Sequence, residues 1–229
     1  MKHSGKARKA AFKIILFTLI AAGVLWAVVF LTTLVGVVAV AALPIVLLVL
    51  WVLFAVFTLY FFRDPTPSVP VGADLVVSPA HGKVDVIDTT NEPQFMGGEC
   101  HRISIFLSVF DVHVQNAPIS GKVAFYKYST GQFLNALRTE CAECNENLLL
   151  GFEPTEPRGA KVGIRLLAGA IAKRIVPFVQ QGEEVPRGDR ICLIQFGSRA
   201  EVYLPLSAKV KVKLGDHVTG GETVVATLE

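Results

Sequence analysis

The chain has 229 residues, 52% of them hydrophobic, too apolar for an intrinsically disordered chain and unusually apolar for a soluble one. Its net charge is only +3, and much of that sits in the N-terminal tail at Lys2, Lys6, Arg8, Lys9 and Lys13. No basic stripe interleaved with aromatics is present, so no nucleic-acid partner is expected.

From Ile14 to Phe62 there is no charged side chain at all. A bilayer core takes about 20 apolar residues per helix, and this run is more than twice that. Two helices over about residues 12–33 and 38–61, joined by a tight turn near Thr32-Thr33-Leu34-Val35-Gly36, fit its length. Pro44 falls early in the second helix, where a missing N–H is best tolerated. The run far exceeds the apolar stretch of a cleaved signal. With basic residues before the first helix and Arg63 after the second, the positive-inside rule puts both ends in the cytoplasm. The expected division is residues 1–62 as basic tail and transmembrane hairpin, and 63–229 as a domain on the cytoplasmic face of the inner membrane. Trp51 and Tyr60 suit an interfacial belt, although Trp51 is placed to lie deeper.

Arg63 to Pro70 is a proline-rich, extended linker. Beyond it, Leu75–Ser78, Lys83–Ile87, Arg102–Leu107, Lys122–Tyr128, Ile191–Phe196, Glu201–Leu204 and Lys209–Lys213 read as strands between turn signals. Arg165–Val179 fits either a helix or a buried strand, with Gly169 and its branched residues favouring strand. One pattern recurs: Pro79-Ala-His-Gly-Lys-Val84, Pro118-Ile-Ser-Gly-Lys-Val123 and Pro205-Leu-Ser-Ala-Lys-Val210 each bring proline and a small turn to a Lys-Val strand start. The third continues to Leu214-Gly215-Asp216-His217-Val218. These stretches resemble the half-barrels of biotinyl/lipoyl-type carrier domains. The fold class expected is therefore mainly β (α+β), a barrel or sandwich-like core with half-barrel elements behind a two-helix transmembrane hairpin. A membrane-tethered carrier is the rival function, but it needs a lysine at a hairpin tip, and these lysines open strands.

Four cysteines are present, with Cys141 and Cys144 in a C-x-x-C and Cys100 beside His101. No second pair completes a tetrahedral set, so no metal is expected and the thiols read as free. Gln195-Phe196-Gly197-Ser198-Arg199 lies between two strand-like runs, and Gly-Ser alone is an ordinary turn. No G-x-S-x-G surrounds it, which removes a hydrolase elbow.

Six blocks occur in order: Tyr60-Phe-Phe-Arg-Asp-Pro65, Ser78-Pro-Ala-His-Gly82, Phe110-Asp-Val-His-Val-Gln-Asn-Ala-Pro118, Ala168-Gly-Ala-Ile-Ala-Lys-Arg-Ile-Val176, Arg187-Gly-Asp-Arg190, and Phe196-Gly-Ser-Arg199 leading to Tyr203-Leu-Pro205. Together they resemble the short, membrane-associated class of phosphatidylserine decarboxylases over nearly the whole chain. The resemblance implies a proenzyme whose Ser198 hydroxyl attacks the Gly197 carbonyl. Cleavage of Gly197-Ser198 gives a β chain ending at Gly197 and an α chain beginning with a covalent pyruvoyl group made from Ser198. It implies decarboxylation of phosphatidylserine in the membrane to phosphatidylethanolamine through a Schiff base with that group, with archaetidylserine as an alternative lipid. By the same resemblance His113 is the base and proton donor, its near-neutral pKa suiting both roles. The partners expected are the lipid, the α and β chains of one precursor, and further copies in a homo-oligomer.

One position departs from the family pattern: His81 stands where the Pro-Ala-Asp-Gly block carries an aspartate. A neutral imidazole accepts a hydrogen bond but supplies no negative charge to an imidazolium, leaving Asp111 or Asp85 to compensate. Arg199 is the cation expected to meet substrate, by its proximity to Ser198. Asn145-Glu146-Asn147 partly resembles a family loop, and the residues alone assign it no role.

Overall fold

The computed structural model describes residues 5–33, 38–131, 145–157, 159–169, 174–195 and 198–229. It divides into a helical unit, residues 5–64, and a β unit from Pro65 onward.

In the helical unit, α1 (Lys6–Thr33) and α2 (Val38–Phe61) are each long and apolar enough to cross a membrane. The first begins six residues before the apolar period, because Lys6–Ala11 consists of strong helix formers. The turn expected at 32–36 lies largely outside the described residues. Pro44 falls in the second turn of α2 rather than the first, so it does remove one ladder bond. Polar side chains within the apolar helices are satisfied internally, as a bilayer demands. Thr18 and Thr58 donate to the carbonyls of Ile15 and Phe54. Trp51 donates its indole N–H to Thr18 Oγ1 at 3.0 Å, across the hairpin. Ten residues from the end of α2, at about 1.5 Å per residue, this Trp is an interhelical tie at mid-helix rather than a belt residue.

The β unit contains one curled sheet of eight strands, which forms a half-barrel, and two sheets of three. The large sheet runs β13 (His217–Val218), β2 (Gly82–Glu92), β3 (Gly98–Leu107), β11 (Ser198–Leu204), β7 (Val162–Ala168), β6 (Asn147–Pro154), β5 (Gly121–Ser129), β9 (Glu184–Val185). The small sheets are β1 (Leu75–Val77), β14 (Val224–Thr227), β12 (Lys209–Val210), and β4 (Val114–Asn116), β10 (Arg190–Gln195), β8 (Arg174–Pro177). The described part of Arg165–Val179 contains strand and no helix, the end of β7 and the whole of β8. The sequence pattern passes over β6, although Leu148, Leu149 and Leu150 are almost wholly buried. It is a strand covered on both faces, so its apolar run has no alternation to betray it.

The Pro-x-x-Gly-Lys-Val repeat marks an internal two-fold arrangement. Val77 N donates to Pro118 O at 2.9 Å, and Asn116 N donates to Pro79 O at 2.8 Å, one exchange mirrored in the other. Val84 bonds the turn at Gly215-Asp216 through both of its backbone groups, and Val123 does the same with Gly182-Glu183. Gly221 N reaches Ser78 O, and Gly188 N reaches Ala117 O. Each copy thus pairs its repeat with a distant Gly-acid turn and a following strand. Gly82 and Gly121 open β2 and β5 because a Cβ there would overlap the carbonyl oxygens of Phe106 and Glu153 in the neighbouring strands.

The linker after Asp64 is extended and strapped down. Ser68 N–H donates to Glu222, and Arg187 donates to the carbonyls of Pro70, Gly72 and Leu75.

Candidate functional site

Ser198 is not in a turn between strands but is the first residue of β11. It is paired with Leu107 of β3 on one side and Ala168 of β7 on the other. Gln195, three residues earlier, ends β10 in a different sheet, so the chain changes sheets between Gln195 and Ser198. Side chains alternate along a strand. Ser198, Ala200, Val202 and Leu204 face the main core with Ile103, Ile105 and Ile164, whereas Arg199, Glu201 and Tyr203 face the opposite side. Ser198 is fully buried, and its Oγ has no hydrogen-bond partner among the described residues. An unpaired buried hydroxyl costs about 1–3 kcal/mol. The fold does not use this hydroxyl to hold itself together.

His113 immediately precedes β4 and is fully buried. Ile194 N–H, on the strand that leads into Gly197, donates to the His113 carbonyl at 3.1 Å. The His113 Nδ1 lies 2.9 Å from the Asp111 carbonyl, which can only accept, so Nδ1 carries a proton and the neutral form of the ring has its lone pair on Nε2. The structure therefore brings His113 alongside the strand that feeds Ser198.

His81, just before β2, lies beside Gly220, and the same glycine borders Asn116, which is three residues along the chain from His113. A Cβ on Gly220 would stand 3.0 Å from His81 Cδ2 and 2.9 Å from Asn116 Oδ1. Neither carboxylate offered as a substitute is idle. Asp111 accepts from Ser108 N–H and Oγ–H at 2.8 and 2.7 Å, and Asp85 is taken by Arg199.

Arg199 is buried, with a two-toothed pair to Asp85 at 2.8 and 2.6 Å and a further donation to Ser104 Oγ at 2.5 Å. Its guanidinium lies on the sheet face opposite the Ser198 hydroxyl. On that same face Arg102 pairs with Asp88 and Glu201, and Tyr203 donates to Glu201 at 2.5 Å. Burial, reinforced by the Glu201 charge, pushes the Tyr203 phenol well above its usual range, which keeps it a donor. Cys100, on this face, is pushed up to about 11, chiefly by burial and then by Glu92. Cys141 and Cys144 lie outside the described residues. Among the described residues no cluster of three or more His, Cys, Asp or Glu is arranged to hold a metal ion.

Sequence reasoning missed Asp85 and Ser104 as the partners of Arg199, and Asn145 as an anchor of β7. Asn145 is buried and donates to the Ala168 carbonyl at 2.8 Å, directly across from Ser198. None of these pairings has a signal in local spacing, because each joins strands far apart in the chain.

Comparison with known proteins gives the family. The family model described as phosphatidylserine decarboxylase matches residues 54–226. The chain belongs to the phosphatidylserine decarboxylase family. It is 43% identical over 171 residues to the phosphatidylserine decarboxylase proenzyme of Desulfotalea psychrophila, covering 75% of this chain and 79% of that one. It is 42% identical over 170 residues to the proenzyme of the same name from Symbiobacterium thermophilum, covering 74% and 78%. The matched span takes in the last third of α2 and nearly all of the β unit, and so includes both His113 and Ser198.

Proposed function

We propose that the protein decarboxylates phosphatidylserine to phosphatidylethanolamine after breaking its own chain between Gly197 and Ser198. The observation that carries this reading is the Ser198 hydroxyl: buried, unpartnered, and placed at the crossover between two sheets. A serine that forms a pyruvoyl group gives up its side-chain oxygen, and a fold that hangs nothing on that oxygen fits such a group. When present at this position, a pyruvoyl group supplies a ketone that condenses with the substrate amine and withdraws electrons as carbon dioxide leaves.

The chain's own residues do the rest. His113, with its lone pair on Nε2, takes the proton from Ser198 Oγ. Oγ then bonds to the Gly197 carbonyl carbon as the bond to the Ser198 nitrogen breaks, so an ester replaces the amide. Loss of the Ser198 α-proton expels Gly197 as a carboxylate, and hydrolysis releases the nitrogen as ammonia. Glycine at 197 presents an unhindered carbonyl for that attack. Once cut, β11 remains hydrogen-bonded between β3 and β7, which supports α and β chains that stay together. Arg199, buried and bonded to Asp85 and Ser104, holds β11 to β2 and β3 rather than meeting the substrate.

The two helices support a membrane anchor, and the basic tail supports a cytoplasmic catalytic domain from residue 63 onward, beside its lipid substrate. The mirrored repeat supports a half-barrel likeness to biotinyl/lipoyl domains. A carrier function is not favoured, because Lys83, Lys122 and Lys209 lie at strand starts and not at hairpin tips.

Intact-mass measurement of the full-length protein in detergent tests the reading. The expected result is two fragments, the smaller beginning at Ser198 with the mass of an N-terminal pyruvoyl group, and a Ser198→Ala chain that stays uncut. His113→Ala is expected to slow fragment appearance by about 10²-fold or more. An active, uncut single chain overturns the proposal.

A further inference from the structure

We infer that Glu146 receives the ammonium group of the substrate beside the Ser198 position; the inference rests on the decarboxylase reading. In the large sheet Asn147 pairs with Leu167, and Leu167 with Arg199. One step further on, Ala168 N–H donates to the Glu146 carbonyl at 2.9 Å, while Ala168 itself pairs with Ser198. Glu146, immediately before β6, thus falls in a row with Ala168 of β7 and Ser198 of β11 on one face. Directly opposite residues have Cβ atoms about 5 Å apart, so roughly 10 Å separates those of Glu146 and Ser198. Only the methyl group of Ala168 stands in the row between them.

The Glu146 carboxylate is fixed on this face. Tyr128, which pairs with Leu148, donates its hydroxyl to Oε1, and Ile175 N–H approaches the same oxygen at 3.4 Å. Burial and the Glu146 charge push the Tyr128 phenol above its usual range, so it remains a donor. Oε2 has no hydrogen-bond partner among the described residues, and no Lys or Arg among them pairs with this carboxylate. Ile175 in turn pairs with Ile194, whose N–H holds the His113 carbonyl. His113 and Glu146 therefore stand at opposite ends of a short backbone path, with the chain running on from Ile194 to Ser198.

Glu146 is only 8% exposed and has no cation beside it among the described residues, an expensive state for a carboxylate. A serine headgroup carries a carboxylate, a phosphate and an ammonium, of which only the ammonium is drawn to Glu146. Its nitrogen is also the atom that must reach the Ser198 position. The contact thus selects for the amine and aims it.

Glu146→Gln tests this in the full-length protein in mixed micelles. The substitution keeps the shape and the acceptor for Tyr128 while removing the charge. Fragment formation at Ser198 is expected at the wild-type rate, with KM for phosphatidylserine raised about tenfold or more, the loss of one charge-assisted contact. Competition by phosphatidylethanolamine, which has an amine, is expected to weaken in parallel, while competition by phosphatidylglycerol, which has none, stays unchanged. A wild-type KM, or equal weakening for both lipids, overturns the inference. Should Glu146→Gln fail to fold, Glu146→Asp is measured the same way, and an unchanged KM there overturns it equally. Failure of the wild-type protein to cleave or decarboxylate would instead count against the decarboxylase reading itself.

Discussion

Replacing Gly121 by alanine puts a methyl group where the Glu153 carbonyl oxygen already lies, with Glu153 C and Pro154 Cα only 2.9 and 2.8 Å away. All three are backbone atoms of β6, so no side chain can swing aside. The strand itself must move by several tenths of an ångström. Such forced shifts in a packed interior cost about 1–3 kcal/mol, and the rigidity of a strand places this one near 2. Gly82→Ala meets the same obstacle at Phe106 and adds a backbone penalty, because Gly82 has φ +152°. It is expected to cost about 1 kcal/mol more. Ala208 occupies the corresponding place in the third repeat, so the fold tolerates a methyl there and Ala208→Gly is expected to cost under about 1 kcal/mol. Urea titration of the full-length chain, followed by circular dichroism in a Ser198→Ala background, gives the three numbers on one uncut chain. A Gly121→Ala value within about 0.5 kcal/mol of the parent would refute the close-approach explanation of the repeated glycine.

Three further outcomes are expected. Arg199→Ala strands Asp85 and Ser104; with the Asp85 side chain 31% exposed, the loss is expected near the lower end of the 3–5 kcal/mol typical of broken buried pairs, about 2–3 kcal/mol, by the same titration. The cleaved fraction of that variant is expected to retain the wild-type KM, and a raised KM would restore Arg199 to the substrate. In a Cys141→Ser/Cys144→Ser background, iodoacetamide is expected to label Cys100 and Cys192 at neutral pH only after unfolding, since both are buried and held protonated. The unfolded thiol ionises near 9 and folded Cys100 near about 11, so the unfolded state loses its proton first and stability falls as pH rises across that window. A stability that is flat from pH 9 to 11 would contradict this. His81→Ala is expected to slow self-cleavage severalfold, because His81 borders the same glycine, Gly220, as Asn116 of the strand that follows His113, and a wild-type rate would remove His81 from the machinery.

Much of this was legible in the residues. The uncharged run from Ile14 to Phe62 dictates two membrane-length helices whatever follows, because no other structure satisfies so many backbone groups in apolar surroundings. The Pro-x-x-Gly-Lys-Val repeat marks the starts of β2 and β5 because each glycine meets a neighbouring carbonyl. Strand β6 was lost to a run buried on both faces, and β9 and β13 are two residues each, too short to carry a period. The ordered blocks marked Ser198 and His113, but residue types alone put Ser198 in a turn.

Sequence by itself determined the two membrane-length helices, the repeat and the identity of the bond proposed to break, since each depends on local composition or on an ordered set of short motifs. Tertiary structure decided what surrounds that bond. It placed Ser198 inside a strand with its hydroxyl unpaired, turned Arg199 to the opposite face, and set Glu146 in a row with Ser198 across a single alanine. These relations come from register between strands up to about a hundred residues apart, where a shift of one residue would exchange the two faces. No local pattern encodes such a choice; the packing of the whole β unit makes it.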